Sequence, residues 1–198
     1  MPDTGNFIVL DGPDGSGTTT HSRLLADAAR SMGRDVLLTA EPTGAAIGKW
    51  IRAYLDKGEG LPPDALQLLF CADRAAHLAN VIEPALAAGK VVICDRYVSS
   101  TIAYGEAMGL DPAWLVDVNK KFIRPNALLF LLAPVDVCAT RLGHRSALDQ
   151  LEGRDLQERV HASYARMARE DDRIVTIDTS GPQEEVTEQI RILLKNNF

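Results

Sequence analysis

The sequence predicts an α/β fold, a five-stranded parallel sheet flanked by helices. Three observations predict it. Apolar runs at Phe7–Leu10, Val36–Thr39, Val91–Cys94, Leu128–Leu132 and Ile174–Ile177 have the length and composition of strands. Stretches with helical spacing of apolar residues separate them. A glycine-rich turn, Gly12-Pro13-Asp14-Gly15-Ser16-Gly17, follows the first run after Asp11. Strands that alternate with helices pair in parallel through right-handed crossovers, and helices then cover both faces.

Each element has its own signal. Gly12, Gly15 and Gly17 end the first strand, and a helix-like pattern starts near Thr18. Thr19–Met32 carries Leu24, Leu25, Ala28 and Ala29 at helical spacing, with Gly33 as its stop. After the second strand, Glu41-Pro42-Thr43-Gly44 reads as a turn, Ile47–Leu55 as a short helix and Gly58–Pro63 as a loop. A long helix runs from Asp64, with Leu66, Leu69, Phe70, Asp73 and Leu78 near one face. Pro84 is the place for a pause, with a restart to Ala88 and Gly89 as the stop. Val91–Cys94 is continuous and apolar, so burial on both faces is expected. Ser99–Met108 is helical, and Asp111 caps the next helix with Pro112 in its first turn. Further helices are expected over Val135–Leu142, Asp155–Arg169 and Pro182–Leu194, with a polar segment at Gly143–Gly153.

The 198 residues suit one domain, 1–198, with 46% hydrophobic and 24% charged residues as a globular balance. The net charge of −6 argues against a general nucleic-acid binder. A local cluster of arginines can still hold phosphates on an acidic protein. Cys71, Cys94 and Cys138 lie far apart without metal-ligand spacing. They read as buried reduced thiols and point to a cytoplasmic setting. There is no signal-peptide pattern and no stretch long enough to span a membrane.

Sites in parallel sheets lie beyond the strand C-termini. The glycine loop, Glu41 and Asp95-Arg96 all fall there. Strand, glycine-rich turn and helix form the context of a phosphate-binding loop, in which backbone N–H groups line one concavity. The helix N-terminus adds its dipole. The match to G-x-x-x-x-G-K-[ST] fails at one place, because Thr18 stands where the lysine belongs. The cradle of Gly12, Pro13, Asp14, Gly15, Ser16, Gly17, Thr18, Thr19 and Thr20 remains, with the Thr19 hydroxyl for Mg2+. An ordinary strand-to-helix turn would use the same residues.

Asp95-Arg96 is either a satisfied internal ion pair or a site, with a guanidinium fork suited to phosphate. Phe70 and Arg74 share a helix face. They could stack on a base and reach its edge, or be a core phenylalanine beside a solvated arginine. Tyr104, after Ser100 and Thr101, walls a pocket or fills the core. Gly143–Gly153 is a mobile lid or a surface loop. Arg141, Arg145 and Arg154 either bring charge over a triphosphate or form a solvated surface. Asp149 and Glu152 could hold a sugar hydroxyl or Mg2+, or start a helix. His21, His77, His144 and His161 form no metal pattern and receive no role.

Taken together, these pieces resemble the thymidylate kinases over nearly the whole chain. The resemblance is carried by Asp14–Gly17, Glu41-Pro42, LFCADRAAHL at 69–78, Asp95-Arg96-Tyr97, the Ser-Ser-Thr-Ile-Ala-Tyr run at 99–104 and Asp178-Thr179. It implies a P-loop nucleoside monophosphate kinase-like fold with a short lid, approximately 143–154. It implies transfer of the ATP γ-phosphoryl group to dTMP, giving dTDP and ADP, with Mg2+ and a homodimer built from helices. By matching position, Phe70 would stack on thymine and Arg74 read its edge. Arg96 would hold the dTMP phosphate, Thr101 would lie near the base beside Ser100, and Tyr104 would favour deoxyribose. Asp14 would approach the sugar 3′-hydroxyl or a metal-bound water, and Glu41 belongs to the dTMP site. Asp95 would support the metal region with Thr19, and Glu152 is a further candidate ligand. Asp14, Arg96, Arg141 and Arg145 would form the catalytic set. Residues 178–182 would face adenine.

Three departures from the family stand out. Thr18 replaces the loop lysine, Ala40 stands where an arginine often precedes Glu-Pro, and the lid reads Asp149-Gln150-Leu151-Glu152 in place of Asp-Arg-aromatic-Glu. A Gly-Ser-Gly-Thr-Thr-Thr loop is similar to that of some cytidylate kinases. The departures leave two alternatives, a broader deoxynucleoside monophosphate kinase and a catalytically silent nucleotide-binding homologue.

Overall fold

The computed structural model describes residues 5–57, 60–143, 151 and 153–195. Five strands, β1 (Phe7–Asp11), β2 (Val36–Ala40), β3 (Val91–Asp95), β4 (Ala127–Leu131) and β5 (Ile174–Ile177), form one sheet. Their order is β2-β3-β1-β4-β5, and every neighbouring pair is parallel. The expected fold is therefore the observed one. β1 and β3 are buried along their whole length, which is why both read as unbroken apolar runs.

Alternation along the strands divides the core. Ile8, Leu10, Ile93 and Leu129 pack on α1 (Thr18–Ser31) and α9 (Gln183–Leu193) through Leu25, Ala26, Val186 and Ile190. Phe7, Val9, Val92 and Cys94 face α3 (Pro63–His77) and α4 (Glu83–Ala87) through Cys71 and Ala85. A third cluster joins α2 (Ala46–Lys57), α5 (Val98–Ala107) and α8 (Arg154–Glu170) around Phe130, with Ile51, Ala103 and Tyr164. α6 (Pro112–Asn119) and α7 (Val135–Leu142) complete the described helices. The Asp111 carboxylate accepts from the Ala113 N–H at 3.0 Å, as a cap should.

Two kinds of difference from the sequence reading bear on the site. The first three strands run one residue past their apolar runs. Leu10 and Ala40 both register with Asp95, and Asp11 registers with Phe130. The backbone ladder continues whatever the side chain is, so Asp11 and Asp95 occupy the last rung. The helix from residue 63 does not pause at Pro84. It passes through a π-helical turn over Leu78–Ile82 and continues as α4. Proline lacks an N–H and crowds the preceding turn, and a widened turn just before it keeps the rod continuous.

Candidate active site

The glycine loop is shaped by Gly15 and Gly17, at φ 80° and 92°. Its N–H groups are not equivalent. Gly12 donates to the Asp11 carboxylate at 3.0 Å, Asp14 to Gln157 Oε1 at 3.2 Å and Ser16 to the Pro13 carbonyl at 3.2 Å. That leaves the first turn of α1, which has no side-chain cap, to face an anion. The loop is clamped from outside. Thr179 donates its hydroxyl to the Ser16 carbonyl at 2.7 Å. Arg141 donates to the Gly15 and Thr179 carbonyls at 3.2 and 2.7 Å.

A cleft of about 540 Å³ runs from this loop to the α3 and α5 walls. Asp14, Gly15, Gly17, Thr18, Thr19, Thr20, Glu41, Phe70, Arg74, Asp95, Arg96, Ser100, Thr101, Tyr104 and Arg141 all line it. Gly12, Pro13 and Ser16 do not, being buried beneath the loop. Arg145, Asp149, Glu152 and most of the expected lid lie outside the described residues. The polar segment therefore contributes Leu151, which is buried against the cleft.

Arg96 occupies the junction. It is the one described non-glycine residue with positive φ, at 68°. Its guanidinium donates to the Gly12 carbonyl at 2.7 Å, Ser100 Oγ at 3.1 Å and Asp14 Oδ1 at 2.5 Å, and lies 5.6 Å over the Tyr104 ring. Burial opposes its charge, but Tyr104, Asp14, Tyr164 and Asp95 outweigh it and hold the guanidinium protonated. Asp14 is clasped on its other oxygen by the Tyr104 hydroxyl and by Gln157 Nε2. Burial, and then the Asp14 carboxylate, push the Tyr104 hydroxyl up, so it stays a donor.

The turn that bears Arg96 is held by Asp11, a residue given no role in the sequence reading. Its carboxylate accepts from Tyr97 N and Ser100 N at 3.1 Å, and from the Ser100 and Tyr164 hydroxyls at 2.6 Å. Burial raises the Asp11 carboxyl above the usual range, against the opposing pull of Arg96 and of these hydrogen bonds.

Arg74 is not a solvated arginine. It is 1% exposed and donates to Glu41 at 2.8 Å, Asn119 at 2.5 Å, and the Tyr97 carbonyl and Thr101 Oγ1 at 2.9 Å. It ties the end of β2 to α5 and α6 while lining the cleft. The histidine reading also changes. His77 bridges Glu41 Oε1 at 3.0 Å and Thr39 Oγ1 at 2.7 Å, and so orients Glu41. Asp73 accepts from Thr43 N and Oγ1 at 2.6 Å and anchors the Glu-Pro turn.

Arg52 is a further cation on the cleft, with its guanidinium on the Pro42 carbonyl. The signal for it was its place on the helix after the Glu-Pro turn. Asp95 meets Thr19, whose hydroxyl donates to Oδ2 at 2.5 Å, while Oδ1 is buried with no partner among the described residues.

Comparison with known proteins agrees with this geometry. The family model described as thymidylate kinase matches residues 10–190. A probable thymidylate kinase of Pyrococcus abyssi is 41% identical, covering 98% of both chains. The thymidylate kinase of Pseudomonas fluorescens is 39% identical over 98% of this chain and 96% of its own. That of Thermomicrobium roseum is 38% identical over 93% and 91%. A match of this length, together with a parallel sheet that brings a glycine loop, an Asp-Arg strand end and an aromatic wall to one cleft, means that the chain belongs to the thymidylate kinase family.

Proposed function

We propose that this protein transfers the γ-phosphoryl group of ATP to dTMP, giving dTDP and ADP. The observation that carries the reading is the single cleft shared by the phosphate loop, Arg96 and the Phe70/Arg74/Tyr104 wall. Phosphoryl transfer needs alignment and positive charge on the transferring oxygens more than a strong base. Arg52, Arg96 and Arg141 line the cleft and supply charge that Thr18 does not. The ATP phosphates lie on the amides of Gly15 and of Gly17 to Thr20, since the Ser16 N–H is given to Pro13. The dTMP phosphate lies on Arg96, its sugar between Asp14 and Tyr104, and its base against Phe70.

Mg2+ belongs to this reading. The residues present suit it, since Asp95 has a buried oxygen with no partner among the described residues, beside the Thr19 hydroxyl. Mg2+ commonly takes one or two protein oxygens and fills its shell with water and substrate phosphates. When bound it would neutralise charge on the donor phosphates. Asp95 and Thr19 would hold it, with Glu152 as a further ligand outside the described residues.

Residues 143–154 act as the lid in this reading, and Arg145 closes with them. A homodimer is supported by exposed Trp50, Leu68, Val81 and Val116 on neighbouring helical elements. No helix among the described residues is long and apolar enough to cross a membrane. A coupled ADP-release assay with Mg-ATP and dTMP, dUMP, UMP, CMP and dGMP tests the function. A clear dTMP preference is expected. Equal use of CMP or UMP would favour the broader kinase, and dTMP binding without turnover the silent homologue.

A further inference from the structure

The acceptor end of the cleft holds a buried polar group that the fold does not use. Gln67 on α3 is 0% exposed, lines the cleft, and has no hydrogen-bond partner among the described residues for either Nε2 or Oε1. A fully buried carboxamide left unpaired costs stability, and nearly all such groups in folded proteins are satisfied. The surrounding packing fixes it in place. A Cβ built on Gly105 of α5 would lie 2.5 Å from Leu115 Cδ2 and 3.3 Å from Gln67 Cγ, so the glycine makes room for Leu115 and lets α5 pack closely on the glutamine stem.

Gln67, Phe70 and Arg74 stand at i, i+3 and i+7, one face of α3, and all three line the cleft. Their chemistries are complementary. Phe70 offers a flat apolar face. Arg74 offers only donors, most of them already given to Glu41, Asn119, Tyr97 and Thr101. Neither accepts a hydrogen bond. Gln67 carries one acceptor and one donor side by side. The imide edge of a thymine or uracil ring presents the matching pair, an N3–H next to a carbonyl.

We propose that Gln67 is a specificity-determining residue whose carboxamide pairs with the N3–H and an adjacent carbonyl of the acceptor base. This rests on the reading of a pyrimidine monophosphate as acceptor. The site leaves the amide unpaired until the base arrives, so the ligand supplies the partners that the fold withholds. A thymine or uracil whose N3–H is blocked then leaves the carboxamide oxygen unsatisfied and is rejected, the way a polar site refuses an analogue that lacks its partner.

The test uses wild type, Gln67→Leu and Gln67→Met, with dTMP and N3-methyl-dTMP as probes. Steady-state kinetics and ligand-induced shifts in thermal midpoint are the readouts. Wild type should bind N3-methyl-dTMP about tenfold more weakly than dTMP, the scale of one or two lost hydrogen bonds. Both variants should raise KM for dTMP about tenfold with a smaller effect on kcat, and should bind the two probes alike. Without ligand, both should melt about 2–4 °C higher, because an unpaired buried amide has been removed. A purely structural glutamine would not couple a gain in stability to lost discrimination. A variant that keeps the wild-type preference for dTMP over N3-methyl-dTMP overturns the assignment and leaves the dTMP kinase reading standing. Failure of wild type to bind dTMP overturns that reading first, before any substitution is compared.

Discussion

The Asp11 carboxylate at the end of β1 accepts both the backbone N–H and the hydroxyl of Ser100, at 3.1 and 2.6 Å. The two residues are 89 positions apart. Through this pair the central strand caps α5, and the turn between them holds Arg96 in a left-handed conformation against Asp14 and Gly12. Removing the carboxylate takes the acceptor from the N–H groups of Gly12, Tyr97 and Ser100 and from the Ser100 and Tyr164 hydroxyls at once. Asp11→Ala should cost about 2–4 kcal/mol in urea unfolding. It should also lower kcat for dTMP by about tenfold or more through displacement of Arg96. A variant with altered stability and wild-type kcat would show that Arg96 is placed independently.

Phe70 is half-buried on the cleft wall beside Arg74. Phe70→Ala should weaken dTMP binding by about ten- to a hundredfold, the range of base–aromatic stacking. KM for ATP should not follow, because the phosphate loop lies at the other end of the cleft. Calorimetric titration with each nucleotide separates the two effects.

Arg141 clamps the phosphate loop through the Gly15 and Thr179 carbonyls and also lines the cleft. Arg141→Ala should raise KM for ATP by about tenfold, since a loosened loop and a lost cation both act on the donor. KM for dTMP should change less. An equal rise in both constants would assign Arg141 to the fold as a whole.

Glu106 joins α5 to α8 by accepting from Arg166 at 2.6 Å and from the Ser163 hydroxyl at 2.5 Å. Burial pushes its carboxyl up, but the hydrogen bonds from Arg166 and Ser163 outweigh it and hold the carboxyl below its ordinary value of 4.5. The unfolded chain therefore binds the proton more readily, and stability rises with pH through that window. The stabilisation is complete above pH 4.5 and is lost as pH falls through the lowered folded value. Urea midpoints from pH 3 to 7 should show a shallower acid limb for Glu106→Gln than for wild type.

The sequence by itself determined the sheet and most of the cleft. Five apolar runs, a glycine loop and charged strand ends are local patterns, and a parallel sheet sends every strand end to one edge. Gly12 to Thr20, Glu41 and Asp95-Arg96 were legible for that reason. Phe70, Arg74 and Tyr104 were legible as candidates whose function or core role spacing alone left open. Only the tertiary structure decided what each side chain meets. Asp11 reads as the residue before a turn until β1 is laid beside α5. His77 reads as an unassigned histidine until α3 brings it to Glu41 and Thr39. Gln67 reads as a polar residue on a helix until α5, with glycine at position 105, closes over its stem. A hydrogen bond between distant segments has no period in the sequence, and burial depends on the neighbour that covers a residue. Local chemistry therefore specified the elements, and packing assigned the work within the site.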